Sequence, residues 1–129
     1  MAAQQSYCPV CAAPIGHDAR NCPRCKADID EWDSKNFVEK LIEALRHPLS
    51  EVRMRAIIVL GNRQERTAEQ PLVDCAFAHP QDVVQGLEIV NSLRLIRKAD
   101  LPSTALERLA KDHPARAVRK AAERALANL

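Results

Sequence analysis

From residue 37 onward, apolar side chains recur with the spacing of one helical face. Phe37, Val38, Leu41, Ile42 and Leu45 form the first stripe. It predicts a helix that ends at His47-Pro48, because a residue before proline avoids the α region. Ser50 is a candidate cap for a second helix carrying Val52, Ala56, Ile57, Val59 and Leu60, with Gly61-Asn62 as its stop. The grammar then repeats. Thr67 and Gln70 are spaced as a capping box and Pro71 suits a first turn; Leu72, Val73, Ala76 and Phe77 then lead to His79-Pro80. Asp82 opens a fourth helix, with Val83, Val84, Leu87, Val90 and Leu93 as its expected core set. After a break at 100–103, Leu106, Leu109 and Ala110 run into His113-Pro114. Val118, Ala121, Ala122, Ala125 and Leu126 form the last stripe.

His-Pro thus stands at 47, 79 and 113, with valine five residues after each histidine at Val52, Val84 and Val118. A period in this range predicts stacked helical hairpins, each burying its apolar face against the next. The stretch from His47 through Val52, Arg53 and Ala56 to Leu60-Gly61 resembles the short HEAT repeats, with their pattern h-P-x-x-x-V-R-x-x-A-x-x-x-L-G. His113 to Ala122 matches that pattern again. The middle copy is degenerate, with Gln85 in the arginine position and Glu88 in the alanine position. The resemblance covers about residues 35–129. It implies a mostly α fold, a HEAT-like solenoid of about three hairpins. It also implies that Arg53 and Arg119 pair with acidic residues of neighbouring repeats. The three histidines are expected to serve their helix C-termini, by charge or by bonding a last-turn carbonyl.

The N-terminal part follows another pattern. Cys8, Cys11, Cys22 and Cys25 form two C-P-x-C pairs, and [Y/N]-C-P-x-C-x-A occurs twice. Two such turns facing each other complete a tetrahedral S₄ set that suits Zn²⁺ and leaves no position for water or substrate. The metal would then be structural. A redox dithiol needs only one C-x-x-C, and a rubredoxin-like iron site belongs to a longer module with its own aromatic core. Residues 6–29 resemble the short zinc ribbons, in which Y-C-P-x-C-G and F-C-P-x-C-G supply four cysteine ligands. Ala12 and Lys26 stand where that family carries glycine, so a left-handed residue there bears a Cβ. Asn21 replaces an aromatic. His17 is expected to be a solvated loop residue. The expected organisation is a zinc ribbon over 1–32 and a HEAT-like domain over 33–129.

Aromatic residues make up only 3% of the chain, so the core must be built from Leu, Ile, Val and Ala, which favours helices. The formal charge of +2 hides a gradient: −2 over residues 1–33, −1 over 34–93 and +5 over 94–129. Arg116, Arg119, Lys120 and Arg124 concentrate the positive end on the last helix, a candidate surface for an acidic protein partner. Cys75, between Val73 and Ala76, reads as a small buried hydrophobe. No apolar run approaches the roughly 18 residues that span a bilayer, so no membrane partner is expected. The first five residues lack the features of a secretory signal, and paired C-x-x-C motifs suit a reducing compartment, so the cytoplasm is expected.

No Gly-rich phosphate loop, nucleophile elbow or spaced carboxylate pair occurs. The leading expectation is therefore a non-enzymatic interaction adaptor with one structural Zn²⁺. The first alternative is a nucleic-acid-binding accessory protein using the ribbon and the basic last helix. Against it stand the acidic ribbon and the missing aromatic platforms. The second is an accessory protein related to the HEAT-like phycobilin lyases, which are longer chains.

Overall fold

The computed structural model describes residues 6–16, 18–30, 36–97 and 103–127. His17, Trp32 and the expected boundary at 32/33 lie outside the described residues.

The N-terminal module is one knuckle built twice. Strand β1 (Ser6–Tyr7) pairs antiparallel with β2 (Pro14–Ile15), Ser6 opposite Ile15 and Tyr7 opposite Pro14. Its counterpart is the bridge between Asn21 and Asp28. Cys8 N–H donates to the Ala13 carbonyl at 2.8 Å and Ala12 N–H to the Cys8 carbonyl at 2.9 Å. Cys22 to Ala27 (3.0 Å) and Lys26 to Cys22 (2.9 Å) repeat both bonds. Ala12 and Lys26 sit at φ 64° and 66°. Both turns therefore need the left-handed conformation that glycine supplies most easily, and here a Cβ is tolerated.

Six α-helices follow among the described residues: α1 (Phe37–Ala44), α2 (Ser50–Asn62), α3 (Glu69–Ala78), α4 (Val83–Ile96), α5 (Thr104–Asp112) and α6 (Arg116–Ala127). Asn36 and Glu39 form a reciprocal capping box at α1. Asp82 and Ser103 cap α4 and α5 by accepting from Gln85 N–H and Leu106 N–H. The helices pack as three hairpins, α1 on α2, α3 on α4 and α5 on α6. The second helices form a continuous layer in which α4 touches both α2 and α6, while α3 meets α5 in the other layer. Arg53 meets Gln85 and Gly61 meets Ser92, so α2 and α4 run the same way. Between the layers lies one aliphatic core, centred on Ile57, Leu60, Leu72, Ile89, Leu93, Leu106 and Leu109.

Several local expectations are corrected. Ser50 is the first residue of α2 rather than its cap; Leu49 takes that place, with no side-chain bond. α2 ends at Asn62, as the Gly61-Asn62 signal predicts, but Gly61 is not a left-handed stop. It lies inside the helix, where an added Cβ would fall 2.5 Å from Ser92 Oγ and 2.8 Å from Ser92 Cα. Its service is close helix approach, and the left-handed residue comes later, at Gln64 (φ 55°). Thr67 and Gln70 form no capping box. A 3₁₀ turn (Arg66–Ala68) precedes α3, and Gln70 donates instead to Asp74 Oδ1 at 2.8 Å.

The largest difference is in α4. Val84 is 70% exposed and Leu87 40% exposed, whereas Gln85, Gly86, Ile89, Val90, Ser92, Leu93 and Ile96 are buried. Small and polar residues hold the inner face because the neighbouring helices come so close. Ser92 Oγ donates to the Ile57 carbonyl at 2.8 Å, and a Cβ on Gly86 would lie 2.6 Å from Val118 Cγ2. Phe37 is also exposed, with the Arg63 guanidinium 5.1 Å from its ring centre.

Candidate metal centre and helical surface

The two knuckles bring four sulfurs together. The Sγ atoms of Cys8, Cys11, Cys22 and Cys25 all lie within 4.8 Å of one another. The cross-knuckle pairs Cys8–Cys25 and Cys11–Cys22 are each 3.6 Å apart. A tetrahedral ion with metal–sulfur bonds of about 2.3 Å needs sulfurs roughly 3.8 Å apart, close to the two 3.6 Å pairs, so small shifts of the sulfurs would complete such a site. The first cysteine of each pair is buried, Cys8 to 2% and Cys22 to 1%, and the second is more open.

Backbone amides face these sulfurs. Val10 N–H donates to Cys8 Sγ at 3.4 Å and Cys25 N–H to Cys22 Sγ at 3.5 Å. The amide of Cys25 draws the Cys22 thiol down to about 6. At Cys25 the Ala27 amide pulls the same way, but desolvation and the Cys22, Cys8 and Cys11 sulfurs prevail and push that thiol up to about 12. Four crowded sulfurs cannot all carry charge alone. A cation among them removes the conflict.

The polar residues of the repeats are engaged in the fold. Leu49 N–H donates to His47 Nδ1 at 3.1 Å, and Ala115 N–H donates to His113 Nδ1 at 3.0 Å. His113 Nε2 lies 3.1 Å from the carbonyl of Ala76, in α3, so the imidazole ties two hairpins together. The expected bond to its own last turn is replaced by this longer-range one. Arg53 donates to the carbonyls of His47 (2.8 Å) and Pro48 (3.1 Å) and to Gln85 Oε1 (2.7 Å), with Asp82 Oδ2 at 3.9 Å. The pairing with an acid of the next repeat is therefore present at Arg53. Among the described residues Arg119 donates to the carbonyls of His113 (2.7 Å) and Pro114 (2.9 Å) alone. Gln85 Nε2 is buried without a partner, a mark of the degenerate middle copy.

A cavity of about 260 Å³ opens between α1 and α3, lined by Ile42, Leu45, Arg46, Pro71, Asp74, Cys75, Ala78 and His79. Cysteine, histidine and aspartate meet here, but not as a nucleophilic set. Cys75 is 4% exposed and donates to the Leu45 carbonyl at 3.4 Å, and burial pushes its thiol up to about 11.

Of the basic residues expected to receive a partner, Arg116, Lys120 and Arg124 are exposed on α6, while Arg119 is half-buried and bonded to carbonyls. Sequence reasoning missed Arg94, Val84 and Leu87 as surface residues. The signal was there in α4, which is apolar on more than one face.

A family profile described as HEAT repeats matches residues 38–127. The chain belongs to the HEAT-repeat family. Comparison with curated proteins gave no match, and comparison with solved structures gave none either. Among the described residues of this HEAT-repeat chain, no helix is long and apolar enough to cross a membrane.

Proposed function

We propose that this chain is a non-enzymatic adaptor, in which a zinc ribbon (1–32) and a HEAT domain (33–129) present surfaces to a protein partner. One observation carries the reading. The residues that could be mistaken for a reactive set, His47, Arg53, Cys75, His113 and Arg119, are each bonded to backbone groups of the fold, whereas Arg116, Lys120 and Arg124 stand exposed. Zn²⁺ on Cys8, Cys11, Cys22 and Cys25 is structural in this reading, since four protein ligands leave no open position. Reduced thiolates suit the cytoplasm. The last helix receives an acidic protein surface, which its charge steers into place.

The test is affinity capture from the native cell extract, followed by identification of the captured protein. The variant combines Arg116→Glu, Lys120→Glu and Arg124→Glu. Loss of an acidic partner with unchanged helical circular dichroism supports the reading. Unchanged capture sinks the site.

A further inference from the structure

The surface on which the partner sits extends beyond α6. Gly86 and Val118 bring α4 and α6 into near contact, because no Cβ keeps them apart at that level. His113 and Ala76 meet where α5 and α3 end, so α6 and α4 start from the same end and run the same way. In such right-handed helices the residue after Gly86 and the residue before Val118 fall on the same side of that contact. These are Leu87 and Ala117, both exposed. Helical spacing then adds Ala121 and Arg124 from α6, and Asn91 and Arg94 from α4, to the same seam. Its floor is apolar and shallow, since alanines let a guest approach the backbone. Both banks are basic: Arg94 and Arg124 are exposed, and Lys120 stands one position further out. By the same spacing Glu123 lies on the far side of α6. Glu88 lies toward α2 and accepts from Asn91 at 3.5 Å, while Arg94 donates to Asn91 Oδ1 at 2.8 Å, so among the described residues Arg94 is linked to that acid only through Asn91.

An apolar strip with cations on both sides matches one kind of guest. Resting on the adaptor reading above, we infer that the α4–α6 seam binds an acidic amphipathic helix, with apolar anchors on Leu87, Ala117 and Ala121 and carboxylates toward Arg94 and Arg124. Charge complementarity selects the acidic flanks, and the exposed leucine selects an apolar stripe over a phosphate backbone. Arg116 lies outside the seam. This separates the inference from the broader one, which counts Arg116 as a contact.

Fluorescence anisotropy on the full zinc-loaded chain tests it. The probe is a synthetic helix with leucines at i, i+3, i+4 and i+7 flanked by glutamates. The comparators are a peptide of identical composition with the leucines scattered and a single-stranded oligonucleotide of equal charge. Leu87→Ser and the pair Arg94→Glu with Arg124→Glu should each weaken the amphipathic probe by about tenfold or more, a typical effect of losing an anchor. Arg116→Glu should leave it within about twofold, and helical circular dichroism should be unchanged throughout. If the scattered peptide binds as well, and Leu87→Ser has no effect, the seam is wrong while an electrostatic C-terminal site survives. Preference for the oligonucleotide overturns both, as does the absence of binding by either peptide.

Discussion

Arg53 and Arg119 occupy the same repeat position, yet they hold different amounts of structure. Both donate to the two carbonyls of the His-Pro turn before them. Arg53 also reaches Gln85 and Asp82 of the following hairpin and is 5% exposed, so it joins two repeats from the interior. Among the described residues Arg119 bonds only within its own hairpin and remains partly open to water, which can replace its bonds. Arg53→Ala should therefore destabilise the helical domain by about 3 kcal/mol, since it strands two carbonyls, an amide and a carboxylate in or near the core. Arg119→Ala should cost about 1 kcal/mol. Urea denaturation followed by circular dichroism measures both, and equal losses would show that the inter-repeat bonds of Arg53 contribute nothing.

At the scale of elements, each cysteine knuckle is a short turn closed by two backbone bonds, and the described residues show only Cys8, Ala13 and Cys22 buried at the module's core. So little apolar burial cannot hold such a module, and a metal on the four cysteines would supply what is missing: structural zinc sites give about 10–16 kcal/mol. A strong chelator should release about one equivalent of metal and collapse the amide resonances of residues 6–30, while most of the helical signal persists. A knuckle that stays folded without metal, or helices that melt with it, would contradict two separately held modules. The knuckles were legible because ligand spacing and left-handed turns are local features; Ala12 and Lys26 show it even without glycine. Helix existence was legible for the same reason, through periodic apolar residues and the cap at Asp82, whereas the cap at Ser103 was read only as part of a break. The inner face of α4 was not. Its local pattern favours Val84 and Leu87 as core, but contact with α2 and α6 selects Gly86 and Ser92, whose small size matters only once the neighbours are in place. Gly61-Asn62 marks the end of α2 correctly, but the packing of Gly61 on Ser92 was not legible, for the same reason.

For the whole molecule, buried His47 and half-buried His79 couple folding to pH. Burial, and then the Arg53 guanidinium, lower the proton affinity of His47 below its ordinary value of 6.5, and His79 is lowered by the same two causes, with Asp82 opposing. The neutral ring of His47 accepts the Leu49 amide at Nδ1, a bond that a second ring proton would abolish. Above about pH 6.5 both folded and unfolded states keep these rings neutral, and stability is complete. As pH falls through that value the unfolded chain takes up protons that the folded chain resists, so stability declines, and it levels off only below the lowered folded values. Acid also displaces metal from thiolates, so the ribbon must be kept out of the measurement. A chain with Cys22→Ser and Cys25→Ser removes that contribution while retaining the helical core described above. Its urea midpoint, read from the helical signal, should fall between pH 7.5 and pH 5.5. Adding His47→Gln, which keeps a hydrogen-bonding side chain but cannot titrate, should lower the midpoint at pH 7.5 and flatten its slope. A slope unchanged by His47→Gln would remove this histidine from the acid response and leave His79 to account for it.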